Sequence, residues 1–215
     1  MVSEDKEYIS YVLKPKVFYT FIKRVTDIVF SLIAIILLSP VLLILAIAVK
    51  ITSPGPIFYR GVRTGRFGRT FRIFKFRTMI VGADKGAGTT SKNDPRLTSI
   101  GKFVRKYKLD ELPQFFNVLI GEMSMVGPRP ELPRYTSQYV GDELLILQVK
   151  PGITDNSSIE FINFNDLIDD KDPDSSFEKN ILSKKNYLRV QYAKNRSYFG
   201  DLYIIFATIY KVIIK

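Results

Sequence analysis

The sequence predicts an α+β fold, mainly helical: a re-entrant membrane helix-break-helix joined to a small cytosolic domain with a β-hairpin and interfacial amphipathic helices. Three observations carry this expectation. Ile28 to Val49 is a run of 22 residues without a charge, broken near its midpoint by Ser39-Pro40. Two aromatic-rich, partly alternating stretches, Ile57 to Arg60 and Thr70 to Met79, flank a Gly- and Arg-rich segment and read as paired strands. Several later segments space their apolar residues as helices do. The expected organisation is an N-terminal extension over residues 1–20, the membrane helix over 21–52 and the cytosolic domain over 53–215.

The apolar run comes first. As a straight helix it would be roughly 33 Å long, about the thickness of a bilayer core. Pro40 removes a helical hydrogen bond and crowds the preceding turn. Each half is then about eleven residues, or roughly 16 Å, half the core. Basic residues flank both ends: Lys14, Lys16, Lys23 and Arg24 before, Lys50, Arg60, Arg63 and Arg66 after. The positive-inside tendency holds both ends on the cytoplasmic side. A helix that enters, breaks at Ser39-Pro40 and returns satisfies these facts, with the Ser39 hydroxyl available to a freed backbone group. A spanning helix with a prolyl kink is the alternative.

The charge is concentrated around this run. The net charge of the 215 residues is +11; residues 1–79 hold 13 Lys/Arg against 4 Asp/Glu, and residues 80–215 hold 19 against 17. A basic face beside an apolar run suits an anionic lipid surface. A nucleic-acid site would be expected away from a membrane segment, so no nucleic-acid partner is expected. Nothing at the N-terminus resembles a cleaved signal peptide.

After Lys50, Ser53-Pro54-Gly55-Pro56 marks a boundary. Between the two expected strands, Gly61 to Gly68 reads as a hairpin turn with a solvated basic face or as a phosphate-cradling nest. Residues 82–95 read as a polar loop. Leu97 to Tyr107 reads as a short basic helix, and Leu112 to Ile120 as a helix that tolerates Pro113 in its first turn and stops at Gly121. Helical patterns follow at Glu131 to Val149, Phe177 to Ala193 and Gly200 to Lys215. The last is a core helix or one lying in the membrane interface.

The chain has no His and no Cys. That excludes a Ser-His-Asp triad, thiolate chemistry and nearly every zinc site. Carboxylates must carry any chemistry. Asp110 and Glu111 are adjacent, preceded by Arg105, Lys106 and Lys108 and followed by Gly127-Pro128-Arg129-Pro130. Asp110 reads as the cap of the following helix or as a reactive group at a helix start suited to phosphate. Two adjacent carboxylates repel, which makes Mg²⁺ a fitting ligand for Asp110 and Glu111, with substrate phosphates completing its shell. A carboxylate is also a nucleophile that needs no base. Its approach to a polyphosphate requires cations, and Lys75, Arg77, Arg105 and Arg129 are the candidates.

These residues carry a pattern. The chain resembles the monotopic phosphoglycosyl transferases, also called bacterial sugar transferases. The matching stretches are Lys23-Arg24 through Asp27, the apolar run with Ser39-Pro40, Gly55 to Arg60, Phe74 to Met79, Leu109 to Glu131, Lys150 to Thr154, and Asn195-Arg196-Ser197 with Asp201. The resemblance implies a monotopic enzyme on the cytoplasmic face of the bacterial inner membrane. It implies transfer of a sugar-1-phosphate from a UDP-sugar to polyprenyl (undecaprenyl) phosphate through a covalent phosphosugar-aspartate. UMP is released, in the first membrane step of glycan assembly. It assigns Asp110 as nucleophile and Glu111 as Mg²⁺ ligand. It sets Lys75, Arg105 and Arg129 near the phosphates and Asp201 in the substrate pocket.

Two departures from that pattern stand out. The run from Asp155 to Asn163 lacks the Arg that many members carry there, and Arg189 stands where many have Asp. Both positions are where the resemblance places sugar or nucleotide recognition. Two competing readings are a metal-dependent glycosyltransferase using Asp170-Lys171-Asp172 or Asp172-Pro173-Asp174, which would release UDP, and a non-catalytic membrane-bound scaffold.

Overall fold

The computed structural model describes residues 12–83, 89–90, 94–161, 167–169 and 171–214. A long helix, α1 (Val17–Thr52), contains the whole apolar run and carries Pro40 inside it. Pro40 has no N–H to give the carbonyl of Ile36, four residues back. The Ser39 hydroxyl donates to that carbonyl at 2.8 Å instead. The Ser-Pro pair thus supplies its own replacement bond, and helical backbone continues through it.

Both ends of the apolar run are fastened to the rest of the protein. At its start, Arg24 donates to the carbonyls of Val118 and Leu119 at 2.7 and 2.8 Å. Asp27, buried, accepts from the Ser124 hydroxyl and the Met125 N–H at 3.0 and 2.9 Å. At its end, Leu45 and Val49 sink into a core with Phe76 and Val104, joined by Ile57, Leu109 and Leu112. The middle is bare: Ile33, Ile36, Leu37, Leu43 and Ile44 are exposed.

The hairpin expected between residues 57 and 79 is two nested antiparallel pairs. Strand β2 (Val62–Thr64) pairs with β3 (Thr70–Arg72), and β1 (Phe58–Tyr59) with β4 (Lys75–Phe76). The Gly/Arg segment is the tip of the inner pair, with Phe67 and Gly68 at φ 59° and 73° and Gly65 N–H bonded to the Arg69 carbonyl at 2.8 Å. Helix α2 (Ser99–Lys106) begins at Thr98, whose hydroxyl caps Gly101 N–H. A 3-10 turn, Leu109–Glu111, then leads into α3 (Gln114–Ile120), which stops at Gly121 in the left-handed region, φ 93°.

One strand pair was not foreseen. Strand β5 (Ser124–Val126) runs parallel to β6 (Gly152–Thr154). A Cβ on Gly127 would come within 2.3 Å of the Lys150 carbonyl, and one on Gly152 within 2.0 Å of Gly127 N. The Gly-Pro-Arg-Pro and Pro-Gly-Ile-Thr stretches are therefore the two sides of one close backbone contact that only glycine permits.

The helical pattern over Glu131 to Val149 is interrupted. It folds as α4 (Pro133–Thr136) and a 3-10 stretch, Gly141–Gln148, because Gly141 turns the chain at φ 55°. A short helix, α5 (Asn156–Glu160), is capped by Asp155. Helix α6 (Pro173–Phe177) passes through a π turn, Glu178–Leu182, into α7 (Ser183–Asn195). The C-terminal helix α8 (Tyr198–Ile214) buries Asp201 and Ile204 and exposes Phe199, Tyr203, Phe206 and Tyr210 along one face.

Candidate active site

The site is assembled by Asn117, a fully buried residue of α3. Its Oδ1 accepts from Phe74 N–H at 2.8 Å and its Nδ2 donates to the Arg72 carbonyl at 3.1 Å. This sets α3 against the chain entering β4, and so sets Lys75 against the acidic pair. Lys75 donates to Glu111 Oε1 at 2.9 Å. From the other side, the guanidinium of Arg129 grips the same carboxylate with two nitrogens, NH1 to Oε2 at 2.9 Å and NH2 to Oε1. Arg129 is presented by Pro128 and Pro130, and its N–H is held by Asp155 Oδ2 at 3.2 Å.

Asp110 is treated differently. It does not cap α3; it sits on the 3-10 turn ahead of it, after Lys108 in the left-handed region at φ 57°. Only 6% of it is exposed, and among the described residues none hydrogen-bonds its carboxylate. Burial raises its pKa above the usual carboxylate range, with Glu111 adding to the rise; Lys75, Arg105 and Lys108 act against it. Burial acts on Glu111 in the same sense. There Arg129 and then Lys75 outweigh it and hold the pKa well below the usual range. The two neighbouring carboxylates are thus pushed apart: one committed to cations, one unpaired and poorly solvated, the pattern expected of a reacting pair.

Of the cations proposed from sequence, Lys75 and Arg129 meet at Glu111. Arg105, on α2, donates from Nε to Thr78 Oγ1 at 2.7 Å, within the field of Asp110. Arg77 is engaged elsewhere: it is buried, and its guanidinium donates to the carbonyls of Pro54 and of Ser53, the latter at 2.6 Å. It secures the exit from α1. Asp201 is the hub of another network, accepting from Lys23 at 2.6 Å, Tyr19 at 2.8 Å and Tyr192 at 2.9 Å. That network ties α1, α7 and α8 together.

Asn117, which sets α3 against β4, was not singled out from sequence; nor was Gln114 in the same helix, whose amide nitrogen and oxygen are both buried without a partner. Buried polar positions on an otherwise apolar helix face were the available signal, since Gln114, Asn117 and Val118 form the buried side of α3. Among the described residues no group of three or more acidic side chains forms a metal cluster. Of the aspartates in the alternative motifs, Asp172 caps Ser175 N–H at 3.2 Å. Asp174 accepts from Thr89 N–H and pairs with Arg134, both at 2.8 Å. Asp170, Ile162 and Asn163 lie outside the described residues.

The arrangement of an unpaired carboxylate beside a cation-bound one invites comparison with known proteins. The family model described as "Bacterial sugar transferase" matches residues 18–215. The chain belongs to the bacterial sugar transferase family. A UDP-glucose:undecaprenyl-phosphate glucose-1-phosphate transferase of Klebsiella pneumoniae is 42% identical over 193 residues, 88% of this chain and 39% of that protein. The protein of the same description from Escherichia coli K12 is 39% identical over 194 residues, 88% of this chain and 40% of that one. A UDP-N-acetylgalactosamine-undecaprenyl-phosphate N-acetylgalactosaminephosphotransferase of Aeromonas hydrophila is 44% identical over 146 residues, 66% of this chain and 34% of that one. The chain spans about two fifths of the length of the first two relatives. The family match takes in every site residue above, from Lys75 to Asp201.

Proposed function

We propose that this chain transfers a sugar-1-phosphate from a UDP-sugar to undecaprenyl or a similar polyprenyl phosphate, through a covalent acyl phosphate that joins the phosphosugar to Asp110. The observation that carries the reading is the contrast within the acidic pair. Glu111 is neutralised by Lys75 and Arg129, while Asp110 is buried with no hydrogen bond from a described residue. A poorly solvated carboxylate is a stronger nucleophile once ionised, and it needs no base. An Asp110 oxygen bonds to the sugar-bearing phosphorus, and the bond to the departing UMP oxygen breaks. An oxygen of the polyprenyl phosphate then attacks the same phosphorus and frees the Asp110 carboxylate. Lys75, Arg105 and Arg129 are the cations available to charge on the transferring group. The relatives act on undecaprenyl phosphate by name, and with different sugars.

Mg²⁺ fits the donor set, with Asp110 and Glu111 Oε2 as its protein ligands. Oε1 of Glu111 already accepts from both Lys75 and Arg129, whereas Oε2 accepts one bond and keeps a lone pair. Two carboxylates suffice where substrate phosphates complete the shell, and the ion would supply charge neutralisation on the diphosphate. Full turnover in excess EDTA would exclude it.

The membrane reading is re-entry from the cytoplasmic face of the bacterial inner membrane. Asp27 and Val49, at the two ends of the apolar run, are both packed on the same domain while the middle is exposed. A spanning helix would carry one end, and whatever holds it, to the opposite face. The exposed aromatic face of α8 then suits the interface. Single Cys residues placed near positions 10 and 90 of this Cys-free chain test it; labelling of position 10 by an impermeant reagent from outside would mean a spanning helix.

The catalytic test is intact mass after incubation with UDP-glucose, UDP-galactose or UDP-N-acetylgalactosamine and no lipid. The expected result is a phosphosugar increment on the wild type and none on Asp110→Asn. An increment retained by that variant would remove Asp110 from the role.

A further inference from the structure

Gln114 lies three residues after Glu111 and four after Asp110, the spacings that bring side chains together on one side of a helix. Its exposure is 1%, and neither its Nε2 nor its Oε1 has a hydrogen-bond partner. Burying an amide with both ends unpaired is costly, and leucine or methionine would fill the same space without that cost. Helical side chains lean toward the N-terminus of their helix, which directs Gln114 back over the turn that carries Asp110. The Asp110 carboxylate is an acceptor with no donor among the described residues. The charged groups around that carboxylate are Lys75 from β4, Arg105 from α2, and Lys108 and Glu111 from its own turn. None of them hydrogen-bonds to it, and Lys75 is committed to Glu111.

We propose that Gln114 is a positioning residue for phosphosugar transfer: its Nε2–H donates to one oxygen of Asp110 during reaction and leaves the other aimed at phosphorus. The inference rests on the proposed role of Asp110. The donor orients a nucleophile that no described side chain hydrogen-bonds.

The experiment uses the full chain in lipid nanodiscs with polyprenyl phosphate and whichever of the three UDP-sugars gives UMP with the wild type. Gln114→Met keeps the volume and removes the donor. Its kcat is expected to fall by roughly 10- to 100-fold, the usual cost of losing an outer hydrogen-bond partner. KM for the UDP-sugar should stay within about threefold and the melting temperature should not fall, since an orphaned amide has been removed. Gln114→Glu should be slower still, because it sets a third carboxylate beside the pair, and Gln114→Asn should recover part of the rate. A Gln114→Met enzyme as fast as wild type, or one slowed only in step with lost thermal stability, overturns the proposal. Asp110→Asn is run in parallel. If it is inactive while Gln114→Met is unimpaired, only the role of Gln114 falls; if wild type releases no UMP, or Asp110→Asn releases it equally well, the reading of the site falls with it.

Discussion

Arg189 Nε lies 3.8 Å from Asp155 Oδ2, and neither side chain is more than 1% exposed. The same guanidinium donates to Glu131 Oε1 at 2.8 Å. Both carboxylates adjoin the arginine of the site: Asp155 accepts the Arg129 N–H, and Glu131 follows Arg129 by two residues. Arg189 is thus an interior counter-charge behind the Pro-Arg-Pro loop. The stretch after Asp155 brings no arginine of its own, and α7 brings this one.

Arg189→Leu should therefore be among the most damaging substitutions. It leaves the buried Asp155 and the largely covered Glu131 without this counter-charge, and breaking a buried pair from one side costs about 3–5 kcal/mol. Denaturant unfolding should report a loss of that size. A double variant that also carries Glu131→Gln should lose less than the sum of its parts, because the two changes share one interaction.

The acidic pair predicts opposite effects on stability from two similar substitutions. Glu111→Gln removes the charge that balances Lys75 and Arg129, both well covered. Melting temperature and turnover should both fall. Asp110→Asn removes a buried charge that has no hydrogen bond from a described residue, so turnover should vanish while the melting temperature holds or rises. Scanning fluorimetry on the two proteins decides it; equal destabilisation would mean that Asp110 is held by an interaction as strong as that of Glu111.

Much of this was readable from residue order, and the exceptions have physical causes. The apolar run, the Gly121 stop and the acidic pair among cations depend on local pattern and charge, which the sequence displays directly. The β5–β6 pair does not. Its strands are three residues each, too short for an alternation signal, and their pairing follows from the mutual approach of Gly127 and Gly152. Arg77 carries the same charge as Lys75 and Arg129, and Asp201 the same charge as Asp110 and Glu111, but their partners differ: carbonyls at the α1 exit for Arg77 and the Tyr19–Lys23–Tyr192 cluster for Asp201. Partner identity is a property of the folded chain, so residue type alone could not separate Arg77 from Lys75 and Arg129, or Asp201 from the acidic pair.

Arg24 offers a test of how α1 is fastened. It donates to two carbonyls near the C-terminal end of α3, of which that of Val118 also accepts the Gly121 N–H at 3.1 Å. Arg24→Ala should cost about 1.5–3 kcal/mol, the range for hydrogen bonds to a charged group. Arg24→Lys should recover part of it, since one ammonium cannot reproduce the planar fork. Protease susceptibility at the α1–α3 contact should rise in the same order, Arg24→Ala above Arg24→Lys above wild type.

Lys185 carries a pH dependence with a definite sign. It is buried on α7, with Phe161 and Phe177 5.6 and 5.4 Å away by ring centroid. Burial, and then the neighbouring Arg189, bring its pKa down to about 7, against the pull of Glu131 and Asp155. An unfolded chain keeps that proton up to about pH 10. Between these values the unfolded state binds more protons than the folded one, so stability rises with pH across the window. Below about pH 7 both states are protonated and the cost of burying the ammonium is paid in full. Lys185→Met removes the dependence. The melting temperature of the wild type should gain on that of the variant from pH 7 to pH 9.5, and the variant should be the more stable near pH 6. The difference between the two curves cancels the other titrating groups, and curves that stay parallel throughout would show that the amine is as easily protonated in the folded chain as in the unfolded one.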